Sequence, residues 1–246
     1  MSPKEIDLRS RKDRILYITI GEYIKTMTPV SSGFIVDNYP LELSSATIRN
    51  VLAELEEDGY LTHPHTSAGR IPTENGYRYF VNNLMQEIQL LEEEKNRIKA
   101  EYEKASRELE ILLDKTSQVI SQITNYTSIV SVDGWSGKIF CKGTRYVVEY
   151  PDYHQDLNKI KSILVALDEK EKLLEVLNQN LQHKVGVFIG HEMAKPGLDE
   201  CSLVVAQYKT KEGLTGRMAV LGPKRMDYER VFSALDYVSH IIEEVE

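Results

Sequence analysis

The pattern of hydrophobic and polar positions changes twice along the 246 residues of the chain, near residues 83 and 125. Before residue 83, hydrophobic residues recur at helical spacing in three short runs, which predicts three helices. From residue 126 onward, β-branched runs that predict strands, among them 128–132 and 145–150, alternate with two longer helical patterns, over 154–182 and 227–245. This alternation of strand and helix patterns predicts an α+β domain built on a largely antiparallel sheet.

The stretch from 84 to 125 contains neither Gly nor Pro, and its hydrophobic residues follow steps of four and three. Such a heptad repeat predicts one long helix, about 60 Å long if straight. The spacing does not name the partner of the hydrophobic seam, which is either a second copy or another part of the same chain. The seam positions are Leu84, Ile88, Leu91, Lys95, Ile98, Tyr102, Ala105, Leu109, Leu112, Thr116, Val119 and Ile123.

The first segment holds the three shorter helices. The first two are predicted over residues 11–27 and 31–38, the second ending before a proline. The third helix is predicted to follow Ser44, a favourable N-cap residue, and to end before Gly59, a favourable residue just past a helix C-terminus.

The first two turns of the third helix carry small and hydrogen-bonding side chains and one guanidinium group, but no acidic residue. A recognition helix presents its N-terminal residues to base edges in the major groove, where Arg suits guanine and Asn suits adenine. The pattern therefore favours a DNA-reading helix, and the alternative is an ordinary surface helix of a small bundle. The candidate contacts are Ser44, Ser45, Thr47, Arg49 and Asn50.

A turn-rich stretch follows the third helix. Residues 60–63 and 70–73 are β-like and enclose a tip with the sequence PHTSAG, which predicts a hairpin, or wing. Wing tips contact phosphates or the minor groove, so the candidate contacts here are His65, Thr66, Ser67 and Arg70. His63 and His65 form an HxH pair, but no Cys or third His lies near them in sequence, so we predict no metal site.

Composition narrows the class of protein. The formal net charge of −8 excludes a coating protein that binds nucleic acid by bulk positive charge, but it leaves binding by a local patch open. Cys141 and Cys201 form no disulfide framework, which favours a cytoplasmic protein. No apolar run is long enough to span a bilayer, and no signal peptide is recognisable at the N-terminus.

The C-terminal half holds no recognisable enzyme motif: the sequence has no GxSxG, Walker or GxGxxG pattern, and we predict neither enzymatic activity nor a cofactor. Lys224 and Arg225 follow a Gly-Pro turn and precede a helix, a placement that suits an anion. The favoured alternative is that Asp227 simply caps the last helix, since caps are commoner than anion sites.

Two distant parts of the sequence resemble the HrcA family of heat-inducible transcription repressors. Residues 44–81, SSATIRNVLAELEEDGYLTHPHTSAGRIPTENGYRYFV, are similar to the family's winged-helix core, and residues 22–32 match the stretch before it. GVFIGHE (186–192), CSLVVAQY (201–208) and LGPKRMDYERV (221–231) are similar to its C-terminal part. The matches occur in the family's order and bracket nearly the whole chain.

The resemblance implies an N-terminal winged helix-turn-helix (1–83), a long coiled-coil-like linker helix (84–125) and a GAF-like α+β dimerisation and regulatory domain (126–246). It also implies a repressor of chaperone operons that binds an inverted-repeat operator as a homodimer, with a chaperonin as modulator. The alternative is a winged-helix regulator whose GAF-like domain senses a small ligand. A third class, an adaptor built on the coiled coil, is disfavoured by the non-acidic face of residues 45–50.

The sequence departs from the family in one place. Family members are usually longer and carry a domain inserted within the GAF-like part. Here the strand pattern of residues 128–133 passes through GWSGK (134–138) directly into residues 139–153. The insert is expected to be absent or reduced to a turn, so any dimer or chaperonin contact that it supplies is in doubt.

Overall fold

The computed structural model describes residues 11–65, 69–85, 90–105, 109–134, 138–152, 156–177 and 184–245. The chain forms two compact units, of which the first extends to Gln86 and the second begins at Glu87. Residues 87–125 are part of the second unit.

The first unit consists of helices and a short two-stranded antiparallel sheet. The three helices predicted for this part of the chain are present close to their expected bounds. The elements are α1 (Arg11–Thr26), α2 (Ser32–Asn38), α3 (Ser45–Glu57), β1 (Leu61–Thr62), β2 (Ile71–Pro72) and α4 (Glu74–Tyr79), followed by a π-helical turn at Phe80–Leu84.

Local hydrogen-bond chemistry sets where these helices begin and end. Ser31, Ser44 and Thr73 precede α2, α3 and α4, and each side-chain oxygen accepts the backbone N–H three residues later. This bond satisfies one of the donors that a helix N-terminus leaves unpaired. Gly59 follows α3 with a φ of +78°, a left-handed conformation that glycine adopts without a steric penalty. The predicted cap and stop of α3 are therefore confirmed.

The hydrophobic faces of α1, α2 and α3 meet in one core, and the aromatic residues that follow the hairpin close it. The rings of Tyr17 and Phe80 stack with centroids 5.6 Å apart, which joins α1 to the π-helical turn. The buried residues of this core are Ile15, Leu16, Ile20, Ile35, Ile48, Leu52, Leu55, Leu61, Tyr77 and Phe80.

The hydroxyl of Tyr39 donates a hydrogen bond of 2.6 Å to Glu22 on α1. This bond, helped by Lys25 and opposed by burial, holds the pKa of the Glu22 carboxyl below its usual value. A lowered carboxyl pKa contributes stability above the unfolded-state pKa, about 4.3, and that stability is lost as the pH falls through the folded-state pKa.

We expect Tyr39→Phe to lower the free energy of unfolding by about 1–2 kcal/mol at pH 7, because it removes a hydrogen bond to a charged group. The loss should shrink at about pH 3, below the unfolded-state pKa of about 4.3, because the stability that comes from the lowered pKa decreases as the pH falls. Urea titrations of both proteins at the two pH values, followed by circular dichroism, measure it. Equal losses at both pH values would contradict the assigned role of the Glu22 charge.

The second unit is an α+β structure with a five-stranded antiparallel sheet between two helical layers. The strand order is β4-β3-β7-β6-β5, so β3, β7 and β6 form the centre. Its elements are α5 (Glu92–Ala105), α6 (Leu109–Thr124), β3 (Thr127–Val132), β4 (Ile139–Lys142), α7 (Arg145–Glu149), α8 (Leu157–Asp168), α9 (Lys170–Leu177), β5 (Val185–Ile189), a 3-10 turn (Gly190–Met193), β6 (Cys201–Lys209), β7 (Thr215–Pro223) and α10 (Tyr228–Val245).

Along the central strands, hydrophobic side chains point alternately to the two faces of the sheet. Ile129 pairs with Ala219, which pairs with Val205, and this face packs on α7, α8 and α9. The intervening residues, among them Val130 and Val204, point to the opposite face, where α6 and α10 pack. The antiparallel sheet predicted from the sequence is confirmed.

The prediction of one long helix over residues 84–125 is wrong. α5 ends at Ala105, α6 begins at Leu109, and the two helices pack side by side. The Arg97 guanidinium donates a 2.9 Å hydrogen bond to Gln122, although a continuous helix would place those residues about 37 Å apart. The heptad seam therefore finds its partner within the chain.

Two further segments differ from their sequence-based predictions. Residues 145–150 are predicted as a strand, but residues 145–149 form α7, and the buried Val147 and Tyr150 lie three apart, as on one face of a helix. Gly143, with a φ of +80°, turns the chain before this helix. The single helix predicted over residues 154–182 is interrupted: α8 ends at Asp168 and α9 begins at Lys170. Residues 153–155 and 178–183 lie outside the described residues.

Candidate nucleic-acid interface

The N-terminal turns of α3 present the residues that the sequence singled out. Arg49 and Asn50 are exposed, and Thr47 is half-buried. Ser44 is exposed, but its hydroxyl caps the helix: it accepts the Thr47 N–H at 3.1 Å and lies 2.9 Å from the Thr47 hydroxyl. Arg49 and Asn50 are thus the longest polar side chains on this surface.

Ser45 serves partly in packing. Its hydroxyl lies 3.1 Å from that of Ser32 at the start of α2, and Ser32 is buried. This polar contact between two small residues lets α2 and α3 approach closely. The predicted contact residue Ser45 therefore also fixes the placement of α3.

Charge favours an anion at this end of α3. The first turn holds no acidic residue, and helix N-termini carry a partial positive charge. Two acids at the other end of the helix are engaged: Lys12 on α1 lies 2.5 Å from Asp58 and 3.6 Å from Glu54. The bond to Asp58 is the main reason that the pKa of Lys12 is raised.

The hairpin is tied into the unit by a third backbone pairing. Val30 and Arg70 exchange both backbone hydrogen bonds, at 2.8 and 2.9 Å. Gly69 is required here, because a β-carbon at this position would lie 2.5 Å from the Val30 backbone. The base of the hairpin therefore has a fixed position against the loop that precedes α2.

Of the four residues predicted to contact DNA from the hairpin, His65 and Arg70 lie among the described residues. His65 is exposed at the start of the tip. Thr66 and Ser67 lie outside the described residues. Arg70, favoured from the sequence as a phosphate contact, is largely covered: its side chain is 21% exposed, and it forms an ion pair of 2.8 Å with Glu56 on α3.

Sequence reasoning missed the role of Glu56. Its carboxylate contacts both Arg70 and the ring of His63, so His63 pairs with an acid. The described residues contain no cluster of His, Cys, Asp and Glu suited to a metal ion. The available signal was helical spacing: Glu56 follows Leu52 by four residues and so lies beside the buried stripe.

The residues that the sequence left open as an anion site or a helix cap, Lys224, Arg225 and Asp227, all form bonds within the second unit. The Asp227 carboxylate accepts the Arg230 N–H at 3.1 Å, as a cap does. Arg225 is bound to Asp152 at 2.9 Å, and Lys224 lies 3.2 Å from Glu200. These bonds favour the cap interpretation over an anion site.

Two remaining features concern disulfides and membrane-spanning helices. Neither Cys141 nor Cys201 is in a disulfide. Among the described residues, no helix has the length and apolar character needed to cross a bilayer.

Comparison with known proteins gives a consistent set of relatives. Residues 132–232 match the family model described as HrcA protein C terminal domain. A heat-inducible transcription repressor HrcA from Pelotomaculum thermopropionicum is 29% identical, with 97% of each chain covered. One from Carboxydothermus hydrogenoformans is 28% identical, with 96% of this chain and 97% of the relative covered.

A solved structure described as that of a hypothetical protein has the same fold. Its TM-score is 0.73 at 20% identity, and the match covers 96% of this chain and 98% of that one.

The relatives contain residues that this chain lacks. The match to the Pelotomaculum protein extends over 338 positions, whereas the chain has 246 residues. At least 92 of those positions therefore have no counterpart here. In this chain the neighbouring strands β3 and β4 are separated in sequence by residues 133–138, and the reduction of the insert at this point stays a prediction.

Proposed function

We propose that the chain, which is similar to heat-inducible transcription repressors HrcA over nearly its whole length, represses heat-shock (chaperone) operons by binding an inverted-repeat operator in the cytoplasm. In this proposal the first unit is a winged helix-turn-helix: α3 enters the major groove, and the hairpin between β1 and β2 is the wing. The second unit is a GAF-like regulatory domain.

One observation carries the DNA-binding part of the proposal. The first two turns of α3 expose Arg49 and Asn50 and contain no acidic residue, and a hairpin follows the same helix. Arg and Asn are the side chains whose paired hydrogen bonds distinguish guanine and adenine. A positive helix N-terminus beside them suits phosphate.

The proposal includes a homodimer. Two recognition helices would occupy successive major grooves about 34 Å apart, the spacing that an inverted repeat offers. Modulation by a chaperonin is part of the same proposal. Sensing of a small ligand by the second unit stays a prediction of the sequence.

Fluorescence anisotropy tests the proposal. Binding of the full chain to a duplex carrying the family's inverted repeat is compared with binding to a scrambled duplex, each at two salt concentrations. We expect the repeat to bind about a thousandfold more tightly or better, with affinity falling as salt rises because phosphate contacts release counterions. Equal, weak binding to both duplexes at both salt concentrations would contradict the proposal.

A further inference from the structure

A single carboxylate on α3 spans the two ends of the hairpin tip. One oxygen of Glu56 contacts the ring of His63, which follows β1 directly. Its other oxygen lies 2.8 Å from the guanidinium of Arg70, which precedes β2 directly. His63 and Arg70, which flank residues 64–69 in the sequence, are therefore both held by the same acid.

The three side chains are partly shielded from water. Glu56 is 25% exposed, Arg70 21% and His63 36%. An ion pair at this depth is less screened than one on an open surface. The backbone pairing of Arg70 with Val30 fixes the outer side of the hairpin base, so the contacts of Glu56 supply the connection to α3 itself.

An acid in this position is unfavourable for simple electrostatic attraction of DNA, because it lies between two elements that approach phosphates. Its neighbour Glu57 is also acidic but exposed, and it forms no ion pair among the described residues. Charge alone thus predicts that removing either acid strengthens binding. A role of Glu56 in positioning the hairpin predicts the opposite for this residue alone: its removal should weaken binding, whereas removal of Glu57 should not.

We infer that Glu56 is a positioning residue of the proposed DNA interface. By holding His63 and Arg70 together, it sets the direction of the hairpin tip relative to α3, so that the wing and the recognition helix contact the duplex at the same time. The inference rests on the proposed function and adds to it a specific residue that touches no DNA itself.

Glu56→Ala tests the inference, with Glu57→Ala as the matched control on the same helix. We expect Glu56→Ala to weaken binding of the inverted-repeat duplex by about tenfold and to reduce the salt dependence, because phosphate contacts of the wing are lost. Glu57→Ala should bind as tightly as the wild type or slightly more tightly. Affinity of Glu56→Ala equal to or above that of Glu57→Ala would overturn the inference.

The salt dependence separates positioning from poor folding. A smaller folded fraction lowers the apparent affinity without changing its slope against salt, whereas lost phosphate contacts reduce the slope. If Glu56→Ala fails to fold, His63→Ala removes only one of the two contacts and must shift affinity and slope in the same direction by less. Wild-type binding by a folded His63→Ala protein would also overturn the inference.

A measurement without DNA separates this inference from the proposed function. Hydrogen exchange of the Arg70 amide, which bonds to Val30, should be faster in Glu56→Ala than in Glu57→Ala. If the wild type fails to distinguish the two duplexes but the exchange rates differ as expected, the proposed function fails and the link between α3 and the hairpin stands. Equal exchange rates in the two variants would overturn the link.

Discussion

Ile98→Ala is expected to lower the free energy of unfolding of the second unit by about 2–5 kcal/mol, whereas Leu91→Ala should change it by no more than about 0.5 kcal/mol. Both residues occupy the heptad seam of the sequence, seven positions apart. Ile98 is fully buried, while Leu91 is 67% exposed. Truncation leaves a cavity only where neighbours surround the side chain.

Comparison of Ile98→Ala with Leu91→Ala distinguishes the two possible partners of the heptad seam, a second copy and another part of the same chain. In a coiled coil between two copies, both positions would face the other helix and both truncations would be costly. In the intramolecular arrangement, α5 packs on α6 and α10. Ile98 is then buried, whereas Leu91 remains exposed. Comparable losses for the two variants would contradict that arrangement.

Tryptophan fluorescence during urea unfolding measures the effect in the intact protein. The chain has one tryptophan, Trp135, within the sequence of the second unit. Its emission therefore reports on that unit and not on the first. The shift of the urea midpoint multiplied by the slope of the transition gives the change in free energy.

The heptad seam illustrates what sequence periodicity determines. The spacing correctly marks the hydrophobic stripe, since Ile98, Leu112 and Val119 are all buried. It does not reveal the reversal of the chain, because residues 106–108 are Ser-Arg-Glu and include neither Gly nor Pro. Thr116 is tolerated in the stripe because its hydroxyl donates a hydrogen bond of 2.8 Å to the Leu112 carbonyl.

Features that depend on nearest neighbours were the most predictable. Ser44 and Gly59 bound α3 as expected, because capping and a left-handed turn involve only residues within one helical turn. Residues 145–150 were not predictable in the same way. Their β-branched composition suits a strand, but β4 already occupies the place beside β3, and the segment becomes a helix that covers the sheet.

In the candidate interface, too, features set within one element were predictable from the sequence, and contacts between elements were not. The exposed face of α3 follows from its helical period, so Arg49 and Asn50 could be selected from sequence alone. The engagement of Arg70 could not, because Glu56 lies on a different element and its contact with Arg70 depends on how the hairpin folds back. An ion pair between two elements produces no regular spacing of residues in the sequence.

Among the candidate contacts, Arg49 is expected to have the largest effect on sequence preference. Arg49→Ala should reduce the preference for the inverted repeat over the scrambled duplex by about 1–3 kcal/mol, a factor of about 5 to 150. The residue is exposed on the second turn of α3. Truncation should therefore leave the stability of the first unit within about 0.5 kcal/mol of wild type.

Arg49→Lys is the matched variant that separates base recognition from attraction of phosphate. Lysine keeps the positive charge but lacks the planar fork that bonds two acceptors of guanine at once. If Arg49 contacts a base, the lysine variant should keep most of its affinity for the scrambled duplex while losing preference for the repeat. If Arg49 contacts only phosphate, both duplexes should bind the lysine variant as they bind the wild type, and the alanine variant should lose affinity for both equally. Anisotropy titrations of the three proteins at one salt concentration distinguish these results, because only the first changes the ratio of the two affinities.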